Sequence, residues 1–235
     1  MKIEAILLDI EGTTTPIDFV HKTLFPYARE RTLDFANEHF GSLRDEIEAL
    51  HGEYEQDVAN GNSPPEFDEC SPESVAKYLR FLIDADRKSS PLKSIQGKIW
   101  QSGYESGELK SIMFEDVARA FDRWYKHGII IAIYSSGRVL AQKLIFKYSN
   151  YGDLTSYISN YFDTTVGHKR EVSSYQKIAS TRTFPPVENF LFISDIVEEL
   201  DAARNAGFQT RLAIREGNAS IGTTNHDVIY NFDDV

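Results

Sequence analysis

Apolar residues fall in short runs along the chain, separated by segments with helical spacing. Ile3 to Asp9 is one such run and ends in an acid. Ile129 to Tyr134 (IIIAIY) is β-branched and too short for a helix, and Phe190 to Ile193 (FLFI) is a third run. Runs of this length predict buried strands. Tyr157 to Phe162 and Thr210 to Ile214 are weaker strand candidates. Helical patterns lie between them at Val139 to Tyr148, Glu171 to Arg182 and Val197 to Ala206, the last closed by Gly207 as a C-cap glycine. Alternation of strand and helix predicts an α/β fold: a Rossmann-like, mostly parallel sheet with helices on both faces.

The stretch from about Asp18 to Lys110 breaks that alternation. It is polar and reads as successive amphipathic helices: Val20 to His39, Ser42 to Val58, Ser71 to Asp86 and Leu92 to Tyr104. The loop Asn60 to Pro72 is dense in turn residues. Ser71, Pro72 and Glu73 look like an N-cap followed by proline at the first helical position. The chain is therefore expected to divide into an α/β core, residues 1–17 and 111–235, and an inserted all-helical domain, residues 18–110. The total of 235 residues suits a compact core carrying such an insert.

Charge and cysteine content narrow the partners. With 25 basic and 36 acidic residues the formal charge is −11. That disfavours nucleic acid and anionic membranes, which call for a basic face. Cys70 stands alone, so no internal disulfide and no multi-cysteine zinc site is expected. The N-terminal MKIEAILLDIEG meets acid too early for a signal peptide, and no apolar stretch is long enough to span a membrane. The expectation is a cytoplasmic protein. Its small size is compatible with nuclear presence, although there is no basic targeting run.

Ligands of open parallel sheets bind beyond the carboxyl ends of the strands. Four segments deliver polar groups there: Asp9 and Glu11, then Ser135, Ser136 and Gly137, then Lys169, then Asp195 with Glu199 one helical turn on. This set suits phosphoryl transfer. A carboxylate can take the phosphoryl group, and a second one can protonate the leaving oxygen and activate water. Glu11 is two residues after Asp9, so on a strict strand both would face one side. Hydroxyls and backbone N–H groups at a helix start, with Lys169, can hold phosphate oxygens. Asp195 and Glu199 can bind magnesium directly or through water.

Each group also has a plainer reading. A lone acid after a strand commonly forms a turn or cap. Ser135, Ser136 and Gly137 could merely start a helix. Lys169 alone would be a solvated lysine, and Glu198 and Glu199 favour a helix dipole in any case. Thr13, Thr14 and Thr15 could simply shape the turn after the first strand. The six histidines show no metal spacing. Trp100 and Trp124 suit the core better than a base-stacking platform.

LLDIEGT resembles the first motif of the haloacid dehalogenase superfamily, usually Asp-x-Asp-x-Thr. IYSSG resembles its second motif, Lys169 its third, and SDIVEE its fourth. Glu11 stands where the superfamily has a second Asp. That variant, with DIEGTTTPIDFV, KIWQSGYESGELK, YSSGRVLAQKLIF and FDTTVGHKRE, is similar to the enolase-phosphatase family of methionine salvage, also called acireductone synthases. The resemblance runs from about Lys2 to beyond Gly207. It implies a magnesium-dependent enzyme, with one ion per chain and usually a monomer. The implied substrate is a small phosphorylated diketone, 2,3-diketo-5-methylthiopentyl-1-phosphate. It is enolised and dephosphorylated to the acireductone 1,2-dihydroxy-5-methylthiopent-1-en-3-one. By motif, Asp9 is nucleophile and metal ligand, and Glu11 is acid/base and a metal residue through its backbone carbonyl or side chain. Ser135, Ser136 and Lys169 bind substrate, Asp195 binds magnesium, and Glu199 is a second, supporting acid. The helical insert is the family's cap. Arg138 is a further cation beside the second motif, with no assigned role.

Neighbouring readings remain at this point. A phosphatase for another small ester, such as a sugar phosphate, would share the core motifs. A hydrolytic dehalogenase would not need the acid at Glu11. A signalling receiver would take phosphate on a later strand and lack the long insert.

Overall fold

The computed structural model describes residues 2–220 and 222–235. Met1 and Ile221, which the expected core segments include, lie outside the described residues. In chain order the main elements are β1 (Ala5–Leu8), α1 (Ile17–Phe19), α2 (Phe25–His39), α3 (Arg44–Ala59), α4 (Pro72–Asp84) and α5 (Ser90–Ser106). They continue with α6 (Glu115–Lys126), β2 (Ile130–Tyr134), α7 (Val139–Lys147), β3 (Ile158–Phe162) and α8 (Val172–Ala179). The chain closes with β4 (Phe190–Ser194), α9 (Val197–Asn205), β5 (Gln209–Ala213) and β6 (Asp227–Ile229). The residues form two compact units, one running to Val20 and resuming at Lys110–Val235, the other His21–Leu109.

The first unit is an α/β layer structure around one sheet of order β3-β2-β1-β4-β5-β6. Every pairing is parallel. The central strands β1, β2 and β4 are apolar nearly throughout because both sheet faces are covered. Leu8 is level with Ile133 on one side and Ile193 on the other, so the three strands end together. That register brings Asp9, Ser135 and Asp195 to one rim.

Two elements fall outside the pattern expected from the sequence. The edge strand β6 is three residues long, with Asp227 and Val228 exposed and only Ile229 buried, so no alternation can be read. Helix α6 is absent from the expected helices, although its pattern is amphipathic: Val117, Ala120, Phe121 and Trp124 are buried. Its acids Glu115 and Asp116 open it, and Arg123 and Lys126 close it, matching the helix dipole. The weak signal of β3 follows from its position at the other edge, where only Ile158 is fully buried.

The second unit is all-helical. Ser71 caps α4 by accepting from Ser74 N, with Pro72 at the first position, as its sequence predicts. Polar ties join the helices: Arg29 of α2 to Asp84 of α4 at 2.6 Å, and Lys98 of α5 to Glu46 of α3 at 2.6 Å. Tyr78 of α4 donates to Asp57 of α3 at 2.8 Å, inside a cluster with Tyr54 and Phe67. No helix among the described residues is long and apolar enough to cross a membrane.

Candidate active site

Strand β1 stops at Leu8, and Asp9 follows with its carboxylate almost fully buried. Its Oδ1 accepts from the N–H of Ile10 at 2.8 Å and faces the Lys169 ammonium at 2.6 Å. The same ammonium lies 2.7 Å from Oε2 of Glu199. Ser194, the last residue of β4, donates to that Glu199 oxygen at 3.0 Å and lies 3.5 Å from Oδ2 of Asp9. The first, third and fourth segments thus meet around one buried cation.

The loop carrying Lys169 is held at four consecutive carbonyls. Lys177 Nζ donates to Val166 O, Tyr134 Oη to Gly167 O, Ser174 Oγ to His168 O and Tyr175 Oη to Lys169 O. Every distance is 2.7–2.9 Å. The Lys169 ammonium also stands 5.8 Å from the centre of the Tyr134 ring. A flexible four-carbon side chain is thereby given a fixed root and an aromatic wall.

Glu11 does not continue the strand. It is half-buried, forms an isolated bridge with Thr15, and opens a turn. The alternation argument that put Asp9 and Glu11 on one side therefore does not apply; the turn sets the direction of Glu11. Within that turn Thr13, Thr14 and Thr15 N–H groups all donate to Ile10 O. Gly12 has φ +65°, and a Cβ there would strike the carboxylate of Asp195 and the amide oxygen of Asn218. Glycine is required by conformation and by space together.

Ser135 is buried and Ser136 exposed. Ser135 N donates to Phe162 O at 3.2 Å, and its Oγ accepts from Gly137 N at 3.2 Å. Gln142 Nε2 ties Gly137 O to Phe162 O at 2.7 and 2.8 Å. Asp163 accepts from Thr165 and from Val139 N at the start of α7, and feels the charge of Arg138. Burial would raise the Asp163 carboxyl, but these contacts outweigh it and hold it below the usual range. Arg138 itself is exposed and sits beside this acid.

The electrostatics are those of three acids around one base. Burial would lower the Lys169 ammonium, but Asp9 and Glu199 outweigh it and hold it above the ordinary lysine range. Asp195 is pushed up to about 7, first by burial and then by the charge of Asp9. Glu199 is raised by the same two causes. The imbalance is what a hard divalent cation would relieve, and carboxylate oxygens are the donors magnesium takes. Asn218 Oδ1 is buried without a hydrogen-bond partner and approaches the same point over Gly12 as the Asp195 carboxylate. The carboxylates of Asp9 and Asp195 are donors that fit magnesium. Among the described residues no group of three or more His, Cys, Asp or Glu is arranged to hold an ion.

Sequence reasoning missed several residues of this rim. Ser194 is visible only as the polar last residue of FLFIS. Tyr134 and Tyr175 look like core aromatics. Arg215 and Asn218, after β5, carry no motif.

The family model of haloacid dehalogenase-like hydrolases matches residues 3–207. The enolase-phosphatase E1 of Synechococcus elongatus is 48% identical over 237 residues, spanning 100% of this chain and 98% of the relative. The chain belongs to the enolase-phosphatase E1 family of haloacid dehalogenase-like hydrolases. The enolase-phosphatase E1 of Dictyostelium discoideum is 42% identical, over 99% of this chain and 93% of that one. Among solved structures, the UTR4 protein of Saccharomyces cerevisiae aligns over all of both chains with a TM-score of 0.81 at 33% identity. CbbY from Rhodobacter sphaeroides, solved in complex with phosphate, shares the fold at 15% identity and a TM-score of 0.59, over 99% of this chain and 96% of that one. An enolase-phosphatase is a hydrolase, a phosphatase acting on a phosphorylated small molecule.

Proposed function

We propose that this enolase-phosphatase converts 2,3-diketo-5-methylthiopentyl-1-phosphate to the acireductone and phosphate in methionine salvage, with Asp9 as nucleophile. The observation that carries the reading is the buried Asp9 carboxylate, fixed by Ile10 N–H and by Lys169 at the end of β1.

The reaction begins with enolisation, in which a proton leaves carbon and one is gained by oxygen. An oxygen of Asp9 then attacks phosphorus, and the bond from phosphorus to the ester oxygen breaks. Glu11 gives its proton to that leaving oxygen. It next takes a proton from water, whose oxygen attacks phosphorus and frees phosphate and the Asp9 carboxylate. Atoms balance as ester plus water giving enol plus phosphate.

Lys169, paired with both Asp9 and Glu199, offers the charge of its ammonium to a phosphate oxygen. Ser135 and Ser136, at the loop before α7, hold the phosphate with the backbone N–H groups there. Asp9 and Asp195, with the backbone carbonyl or side chain of Glu11, would hold magnesium, which when bound would supply positive charge among these acids and Lewis-acid polarisation of an oxygen. The helical unit, residues 18–110 in the sequence reading, acts as the cap, and the enzyme works as a monomer in the cytoplasm.

The test is to supply the diketo phosphate with and without magnesium, following phosphate release and the absorbance of the enol product separately. Magnesium-dependent appearance of both is expected. Rapid cleavage of a sugar phosphate with none of the diketo phosphate would overturn the substrate.

A further inference from the structure

We propose that Arg215 and Asn218 are positioning residues that fix the direction of Glu11 by gripping the two carbonyls that follow it. The inference rests on the reading of Glu11 as the acid/base. Asn218 Nδ2 donates to Gly12 O at 3.0 Å, and Arg215 Nε donates to Thr13 O at 3.1 Å. Both residues lie on the loop after β5, joined by the Asn218 N to Arg215 O bond at 3.1 Å.

The turn around Glu11 lies beyond the end of β1 and is closed by Gly12 N donating to Thr15 O at 2.8 Å. Its inner side is tied by the three N–H groups on Ile10 O, and Phe114 N donates to Thr14 O at 3.1 Å. With Gly12 O and Thr13 O taken from the β5 loop, the carbonyls Ile10 O before Glu11 and Gly12 O and Thr13 O after it are all anchored. A left-handed glycine next to a catalytic acid would otherwise be the point where the turn bends. Misplacing a proton donor by about 1 Å can cost about a hundredfold in rate.

Arg215 is itself immobilised far more thoroughly than one carbonyl demands. Its side chain is 4% exposed and pairs with Asp116 at 2.8 Å. Nη1 donates to Tyr230 O at 3.0 Å. The guanidinium is sandwiched between Phe114 and Phe232, with ring centres 4.8 and 4.4 Å away. Asp116 in turn accepts from Phe232 N at 2.6 Å. The C-terminal segment and the start of α6 thus make a rigid mount for the group that holds Thr13.

A double-mutant cycle on the full chain tests this, with phosphate release from the diketo phosphate and from p-nitrophenyl phosphate as readouts. Asn218→Ala and Arg215→Lys should each lower kcat about tenfold, with KM within about twofold. In a Glu11→Gln background either change should cost less than about twofold, because a residue acting through Glu11 has nothing left to position. The same loss in both backgrounds, or no loss in either, overturns the proposal. Asn218→Ala breaks no ion pair and carries the test if Arg215→Lys does not fold. If Glu11→Gln alone retains full turnover, the acid/base reading of Glu11 fails instead, which is a separate result.

Discussion

The ammonium of Lys169 stands 2.6 Å from Oδ1 of Asp9, with both side chains almost wholly out of solvent. The same nitrogen holds Glu199, so one cation keeps two carboxylates side by side. Lys169→Ala should therefore do more than weaken a phosphate contact. Its kcat/KM is expected to fall about a hundredfold or more, since a preorganised charge at the phosphate is lost. Competitive inhibition by inorganic phosphate should weaken in parallel. Steady-state kinetics check both, and an unchanged kcat/KM would remove Lys169 from the site.

Gly12→Ala tests the crowded turn. The φ of +65° disfavours any Cβ, and the added methyl would meet Asp195 and Asn218. A loss of about 2 kcal/mol in stability is expected, together with a larger loss of activity because Asp195 must move. Thermal melts and phosphate release measure the two effects. Near wild-type values of both would mean that the turn has room to relax.

Asp57 offers a pH test away from the catalytic rim. Burial would raise its carboxyl, but Asn62, Arg87 and Tyr78 outweigh burial and hold it below the usual aspartate value. A depressed folded-state pKa means that this contribution is complete above the unfolded value, near pH 4, and is lost as pH falls through the folded value. Asp57→Ala should cost about 2 kcal/mol at neutral pH and flatten the acid limb of the stability curve. Melting temperatures of wild type and variant between about pH 2 and 7 decide it. A constant gap across that range would refute the linkage.

Much of this architecture is readable in advance because the chemistry sits where strong patterns end. β1, β2 and β4 are uninterrupted apolar runs, and a polar residue directly after each can only lie on the rim. Asp9, Ser135 and Asp195 are legible in this way. Lys169 has no strong strand before it, since β3 is a half-exposed edge, and its place came from motif order. Glu11 shows the limit of periodicity: the strand ends one residue before Asp9, and a turn pinned on Ile10 O takes over. Ser194, Arg215 and Asn218 were illegible because their roles depend on atoms distant in sequence. A serine ending a strand or an arginine after one has no pattern that reveals which carbonyl or carboxylate it will meet.

The central claim is that Asp9 takes the phosphoryl group. Rapid quenching during turnover, reduction of any acyl phosphate to the alcohol by tritiated borohydride with loss of phosphate, and analysis of the labelled peptides would locate it directly. The account predicts a modified residue at Asp9 alone, and neither modification nor turnover in Asp9→Asn. Trapping at another residue, or turnover by Asp9→Asn near the wild-type rate, would contradict it.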